Sequence, residues 1–427
     1  MPEPDTPLTE RPWENVERMV DVDHALDRIL AVVAPLPAES VPLLQARGRI
    51  VAGAVLARDN VPPFRNSAMD GFAVRCQDVA GADWDRPAVL PVACEVAAGD
   101  AAGTVLAPGT AIRIMTGAVL PAGADAVVRF EETDEARQVR GSSTREVRIF
   151  RPPKLGDNVR EAGEDIALGS EIARPGQQLT PARLGLLASV GVARAPVHRR
   201  PVVSILSTGN EVVPPGERLP SGKIRDSNAY VLAAMAEAWG AEVRLHGIAR
   251  DTVDHLTAHL RDARDSDLIV TSGGVSLGDF DFVKDVLRAE GEVNIWQVRM
   301  KPGKPLAFGL LGETPLLGLP GNPVAAGVSF VLFGRPAILR LQGHRDLASP
   351  TVDAYAAEPI DNRGQRRHFM RVILERDADG AVRAWPAGEQ GAGVLSSLAA
   401  ANALLVVPES LEHVPAGTRL QAIRLDW

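Results

Sequence analysis

From Val202 to Gln342 short apolar runs alternate with longer stretches of helical spacing. VVSILST, EVRLHGIA, DLIVTSGG, VNIWQVRM and TPLLGLPGNP read as strands. SNAYVLAAMAEAWG, TVDHLTAHLRDARD, FDFVKDVLRAEG and PVAAGVSFVLFGRPAILRLQG read as helices. Ser227 or Asn228 would cap the first helix and Gly240 would end it. Such alternation calls for a doubly wound parallel sheet with helices on both faces. Ligands of these sheets sit beyond the carboxyl ends of the strands. The loops after residues 206, 249, 271 and 319 therefore share one rim.

The flanks follow other patterns. Residues 14–33 carry apolar positions at helical spacing, and 39–57 suggest a second helix leading into a turn. From about 58 to 150 short strands and turns alternate, as in PAVLPVACEV, GTAIRIMTG and ADAVVRFEE. A bridge rich in Gly and Pro follows, then a helix, TPARLGLLASVG. After residue 350 strands return, enough for a β-barrel or sandwich of about 80 residues. The expected division is an N-terminal region 13–195 with a small β-rich insertion near 58–150, an α/β domain 196–343, and a β domain 350–427. A chain of 427 residues has room for several domains.

The net charge of −8 argues against general attraction to nucleic acid or anionic membrane. Cys76 and Cys94 are the two cysteines, without CxxC spacing, so neither a zinc site nor a disulfide framework is expected. The first ten residues lack the basic start and apolar core of a signal peptide. The apolar stretch 324–334 is shorter than the ~20 residues that span a bilayer. The expectation is a cytoplasmic protein.

Five rim segments carry candidate chemistry. In TSGGVSLGDFD, Thr271, Ser272, Gly273, Gly274 and Ser276 would suit an anion cradle built from backbone N–H groups. The same loop would also suit a plain tight turn capped by Asp279. Asp281 would suit Mg²⁺, which bridges carboxylates to substrate phosphates. GLPGNPV offers a second stiff loop, Pro320, Gly321, Asn322 and Pro323. MKPGKP holds Lys301 and Lys304 on a stiff loop that suits an oxyanion, although two solvated lysines fit the same pattern. Glu211 and Asp251 follow the first two strands, as rim acids or as caps. Outside this domain, Asp70 lies in a turn of SAMDGFAV, and Thr116-Gly117 interrupts a strand.

Taken together, SAMDGFAV, RIMTGAVLPAGADAVV, STGNEVV, DSNAY, TSGGVSLGDFDFVK, MKPGKP, GLPGNPV and VLSSLAAANALLVVP resemble the molybdopterin molybdenumtransferase (MoeA) family, which includes the E domain of gephyrin. They occur in family order over residues 64–408. The resemblance implies a multidomain α/β fold. Its parts are a helical and β-rich N-terminal part with an inserted small domain, a central molybdopterin-binding domain and a C-terminal β-barrel. It implies a homodimer whose cleft is shared between subunits. The substrates implied are adenylylated molybdopterin and molybdate, with AMP released and Mg²⁺ required. A molybdopterin adenylyltransferase and acceptor molybdoenzymes would be its partners.

By the same resemblance Asp281 and Glu211 are tied to metal, and Asp251, Lys301, Lys304, Asp70 and Thr116 to catalysis. Asp165 and the two glycine loops are tied to substrate, and Lys304, Pro305, Arg371 and Ser396 to molybdate. Asp279 falls on a variable position. Phe72 stands where relatives usually have Tyr, Asn210 where Asp is frequent, Ala325 where many have Ser, and Gln297 where some have Lys. These departures bear on anion selectivity rather than reaction class. Two competing readings are the preceding adenylyl transfer, whose enzymes resemble only the central domain, and a non-catalytic scaffold.

Overall fold

The computed structural model describes residues 19–101, 103–137, 145–274 and 292–426. The chain packs as two compact units. One holds Ser40–Pro175 and Leu179–Val197; the other holds Met1–Glu39, Gly176–Gln178 and His198–Trp427.

The N-terminal helix, α1 (Val22–Val32), buries Val22, Ala25 and Ile29 in the core of the second unit. By packing it belongs with the central domain, although chain order groups it with residues up to 195.

The first unit contains a five-stranded sheet. Its strands are β1 (Gly71–Val74), β2 (Ala88–Val96), β3 (Ala111–Ile114), β4 (Ala126–Arg129) and β5 (Glu146–Ile149), in the order β4-β1-β3-β2-β5. β2, β3 and β4 are strands read from the sequence, whereas the sequence reading places Gly71–Val74 only in a turn segment. Phe72 is fully buried and meets Phe130 edge-on at 5.6 Å, so a hydroxyl at that position would be buried in the core. Helix α2 (Pro181–Ser189) starts where Thr180 accepts from Arg183 N, and Gly191 at φ +79° follows its end. The helix expected within 39–57 does not form. A strand, Ala38–Pro42, runs into a single 3₁₀ turn, Leu43–Ala46. Pro42 has no N–H to donate, and Gly48 sits at φ +76°, outside helical space.

The second unit holds the α/β domain and the barrel. The central elements are β6 (Val202–Thr208), α3 (Asn228–Ala238), β7 (Glu242–Ala249), α4 (Val253–Asp262), β8 (Leu268–Ser272), β9 (Glu292–Gln297), β10 (Pro305–Leu311) and β11 (Thr314–Leu319). Then come α5 (Pro323–Ser329), a π turn and α6 (Arg335–Leu341). The sheet order is β7-β6-β8-β11-β10-β9. The first four strands are parallel, as the alternation requires, and every residue of β8 is buried.

At the far side the ladder turns antiparallel, β11 to β10 and β10 to β9. The sequence reading does not assign β10. It arises because only Gly312 and Glu313 separate it from β11, and so short a link can make only a hairpin. Gly312, at φ +67°, makes that turn. The α3 cap also differs from expectation. Asp226, not Ser227 or Asn228, accepts from Ala229 N at 3.1 Å, which leaves the Asn228 side chain for another task. The stretch Pro323–Leu341 is long and apolar enough to cross a membrane, yet 89% of it is buried inside the fold.

The C-terminal strands are β12 (Thr351–Ala356), β13 (Arg367–Arg376), β14 (Val382–Pro386), β15 (Ala403–Val407) and β16 (Arg419–Arg424). They pair in the order β13-β14-β12-β16-β15, and β15 returns to β13, which closes a five-stranded barrel. Met300–Lys301 adds to the start of β13, opposite Arg367 and His368. This ladder carries the lysine loop of the central domain to the barrel.

Candidate active site

An open cleft of 1020 Å³ lies at the carboxyl rim of the central sheet. Most of its walls are loops that leave strands. From β6 come Gly209 and Glu211, from β7 Asp251, and from β8 Ser272, Gly273 and Gly274. Lys301 and Lys304 precede β10, Pro305 is its first residue, and Pro320 to Pro323 link β11 to α5. The structure thus gathers most rim residues singled out in the sequence. Asp281, Ser276 and Asp279 lie outside the described residues.

Backbone geometry holds these loops. Gly209 sits at φ +136°, and a Cβ there would lie 2.7 Å from Glu211 Oε2. Gly273 sits at φ +95°, and its Cβ would meet Thr208 O at 2.8 Å. A side chain at either glycine would collide with the cleft wall. Asn210 N donates to Asp251 Oδ2 at 2.9 Å, and Lys223 Nζ donates to Asn210 O at 2.6 Å. Asn210, which stands where relatives often have Asp, therefore ties the first two loops through its backbone N–H and through its side chain, whose Oδ1 accepts from Asp251 N at 3.3 Å. Gly303 at φ +103° has no room for a Cβ, which would lie 2.5 Å from Ser329 Oγ. That close approach seats the lysine loop on α5. Ala325, buried one turn earlier on α5, lines the same wall. Gln297 is half-buried opposite Pro305 and does not line the cleft.

Both signs of charge line the cleft. Glu211, Asp226 and Asp251 lie on the β6 and β7 side together with Arg225, while Lys301, Lys304 and Arg366 bring cations from the β10 and barrel side. Behind the cations sits His368, buried with neither ring nitrogen hydrogen-bonded among the described residues. Burial foremost, then the charges of Lys301, Arg371 and Arg366, push its pKa down to about 3. It is therefore neutral at working pH and adds no charge to this wall.

Three residues do not reach the cleft as the family resemblance implied. Thr271 is fully buried in β8 and does not line it. Arg371 is also fully buried. Its Nε donates to Ser397 Oγ at 3.2 Å and its Nη2 to the carbonyls of Glu389 and Gly391 at 3.1 Å each. Burial lowers its pKa to about 10. Arg371 thus shapes the 389–391 loop, part of which lines the cleft. Ser396 is exposed on the short helix after that loop, and its neighbour Ser397 makes the contact to Arg371.

Sequence reasoning passed over Arg366, Gln390 and Asn228 as site residues, although all three line the cleft. The run GQRR before β13 was a basic signal for Arg366. No local pattern marks Gln390, whose amide clasps Arg371 N and O at 3.0 and 3.1 Å.

In the other unit, Thr116 donates from both N and Oγ1 to Asp70 Oδ1, at 2.8 and 2.7 Å. This exposed pair joins the turn before β1 to the one after β3. Asp165 is exposed in the bridge, and its N donates to Val61 O.

Three family models cover nearly all of the chain. The MoeA N-terminal region (domains I and II) matches residues 20–191, a probable molybdopterin binding domain 204–340, and the MoeA C-terminal region (domain IV) 353–425. The chain belongs to the MoeA family. It is 41% identical to molybdopterin molybdenumtransferase 2 of Mycobacterium tuberculosis, over 90% of this chain and 94% of that protein. It is 36% identical to the molybdopterin molybdenumtransferase of Haemophilus influenzae, over 93% and 97%. The crystal structure of a molybdopterin biosynthesis MoeA protein from Pyrococcus horikoshii superposes with a TM-score of 0.84. That match has 32% identity and covers 96% of this chain and all of that one. A MoeA fold with relatives so named places the chain among transferases.

Proposed function

We propose that this MoeA protein inserts molybdate into adenylylated molybdopterin and releases AMP in a Mg²⁺-dependent step, giving molybdenum cofactor. The observation that carries this reading is a single cleft that gathers the carboxylates of Glu211 and Asp251 with three cations, Lys301, Lys304 and Arg366, from the β10 and barrel side. Two anions must be held side by side, a phosphoanhydride and an oxyanion. Lys301, Lys304 and Arg366 are placed to neutralise the oxyanion. The backbone of Gly273, Gly274 and Gly321 lets phosphate oxygens approach closely.

Among the described residues no group of three or more His, Cys, Asp or Glu side chains converges as a metal cage. Mg²⁺ binds through one or two carboxylates plus substrate phosphates. Glu211, together with Asp281, would hold it. When bound, it supplies charge neutralisation and polarises the anhydride phosphorus. The anhydride P–O bond breaks as a water oxygen adds to the AMP phosphorus, AMP leaves, and the bridging oxygen stays with the terminal phosphate on the pterin. The two dithiolene thiols replace two oxo groups of molybdate, which leave as water with the thiol protons and two protons from solvent.

We also infer a homodimer in which Asp70 and Thr116 of one subunit complete the cleft of the other. Their mutual hydrogen bonds hold the carboxylate and hydroxyl ready at an exposed edge. A molybdopterin adenylyltransferase would supply the substrate, and acceptor molybdoenzymes would take the product. The test is to mix the protein with adenylylated molybdopterin, Mg²⁺ and molybdate. AMP release with reconstitution of an apo-molybdoenzyme is expected. Consumption of ATP with unmodified molybdopterin, without AMP release from the adenylylated form, would instead establish adenylyl transfer.

A further inference from the structure

Asn228 is the first residue of α3 and stands between two cleft loops. Its Nδ2 donates to Ser272 Oγ at 2.7 Å and to Gly321 O at 2.8 Å. The Gly321 carbonyl can only accept, so the amino group of the amide must face this side. Both of its hydrogens are then committed, one to each loop. Asp226 caps the helix in its place, through the bond to Ala229 N at 3.1 Å, so Asn228 is not needed there.

The consequence falls on Ser272. Its hydroxyl oxygen accepts from Asn228, so its own hydrogen must be donated elsewhere. Among the described residues no group accepts it, and the carbonyl of Ser272 is already met by Thr208 Oγ1 at 3.4 Å. Ser272 is almost wholly buried yet lines the cleft beside Gly273 and Gly321. A buried hydroxyl whose hydrogen no described residue accepts is, at that place, a donor available to a ligand.

We propose that Asn228 is a positioning residue that fixes the polarity of Ser272, so that the serine donates to a phosphate oxygen held between the β8 and β11 loops. The identity of that phosphate as the adenylyl group rests on the function proposed above. The donor geometry does not. An amide in this position does what a carboxylate cannot. An aspartate would accept from Ser272, turn the hydroxyl away from the ligand and repel both Gly321 O and the anion.

The experiment is a double-mutant cycle on Asn228→Ala, Ser272→Ala and the double variant, with Asn228→Asp as a near-isosteric fourth protein. AMP binding is measured by calorimetry, and AMP release from adenylylated molybdopterin is followed separately. Each single alanine variant is expected to weaken AMP binding about tenfold, the size of one lost hydrogen bond to a charged group. The double variant is expected to be no weaker than Ser272→Ala alone, because Asn228 acts through the serine. Asn228→Asp is expected to bind more weakly than Asn228→Ala. Additive losses would show that Asn228 merely braces the loops and would overturn the proposal. Aspartate binding as well as alanine would do the same. If the wild type binds AMP but does not release it from adenylylated molybdopterin, the reaction assignment fails while the cycle still decides the role of Asn228.

Discussion

Replacing His368 with leucine is expected to remove a defined part of the protein's sensitivity to acid. The imidazole is 3% exposed, neither nitrogen has a hydrogen-bond partner among the described residues, and its pKa lies near 3 against an ordinary 6.5. Burial is the main cause, and Lys301, Arg371 and Arg366 add to it. Between those two values the unfolded chain takes up a proton that the folded chain refuses. Stability must therefore fall as pH drops below 6.5 and keep falling towards 3. At about 1.4 kcal/mol per unit, His368 alone costs about 1.4 kcal/mol at pH 5.5 and about 2.7 at pH 4.5. Leucine removes the proton acceptor and two orphaned polar atoms, so His368→Leu is expected to equal or exceed the wild type at pH 7. Urea unfolding of both proteins at pH 7, 5.5 and 4.5 is the assay. Comparing the two at each pH lets domain-by-domain unfolding enter both alike. The advantage of the variant should widen by the amounts above. Stability curves that stay parallel from pH 7 to 4.5 would refute the reasoning, because they would mean the folded protein protonates His368 without penalty.

Other outcomes follow from the same geometry. Gly303→Ala puts a Cβ against Ser329 Oγ at φ +103°, so it is expected to displace Lys301 and Lys304, cost about 1–3 kcal/mol and raise KM for molybdate at least tenfold. Arg371→Met removes the three bonds to Ser397, Glu389 and Gly391. It should lower kcat/KM through the loosened loop, and limited proteolysis near residue 390 should reveal that loosening. Asp281→Ala is expected to abolish Mg²⁺-dependent AMP release, and full release would remove Asp281 from the metal site. If the cleft is shared, mixing equal amounts of Asp70→Ala and Asp281→Ala subunits should restore about a quarter of wild-type activity, because random pairing makes half of the isologous dimers mixed and each mixed dimer has one intact cleft.

Periodicity alone determined the doubly wound core, because strand and helix spacing are local and each apolar face needs a covering layer. The rim loops were also legible. Gly273, Gly321, Lys304 and Pro323 carry backbone or charge requirements that a short window displays. The helix expected within 39–57 failed because Pro42 and Gly48 outweigh apolar spacing. Strand β10 went unread because a two-residue link, not periodicity, sets its direction. What only the tertiary structure decided is which side chains share a task. The family resemblance tied Arg371 to molybdate, and the fold buries it with Nε and Nη2 bonded to Ser397, Glu389 and Gly391 and Nη1 without a partner among the described residues. Asn228 looked like a helix cap, and the fold gave that task to Asp226 and set Asn228 between Ser272 and Gly321, 44 and 93 residues away. Hydrogen-bond partners so distant in sequence leave no local pattern, since they meet only after the sheet has brought its loops to one edge.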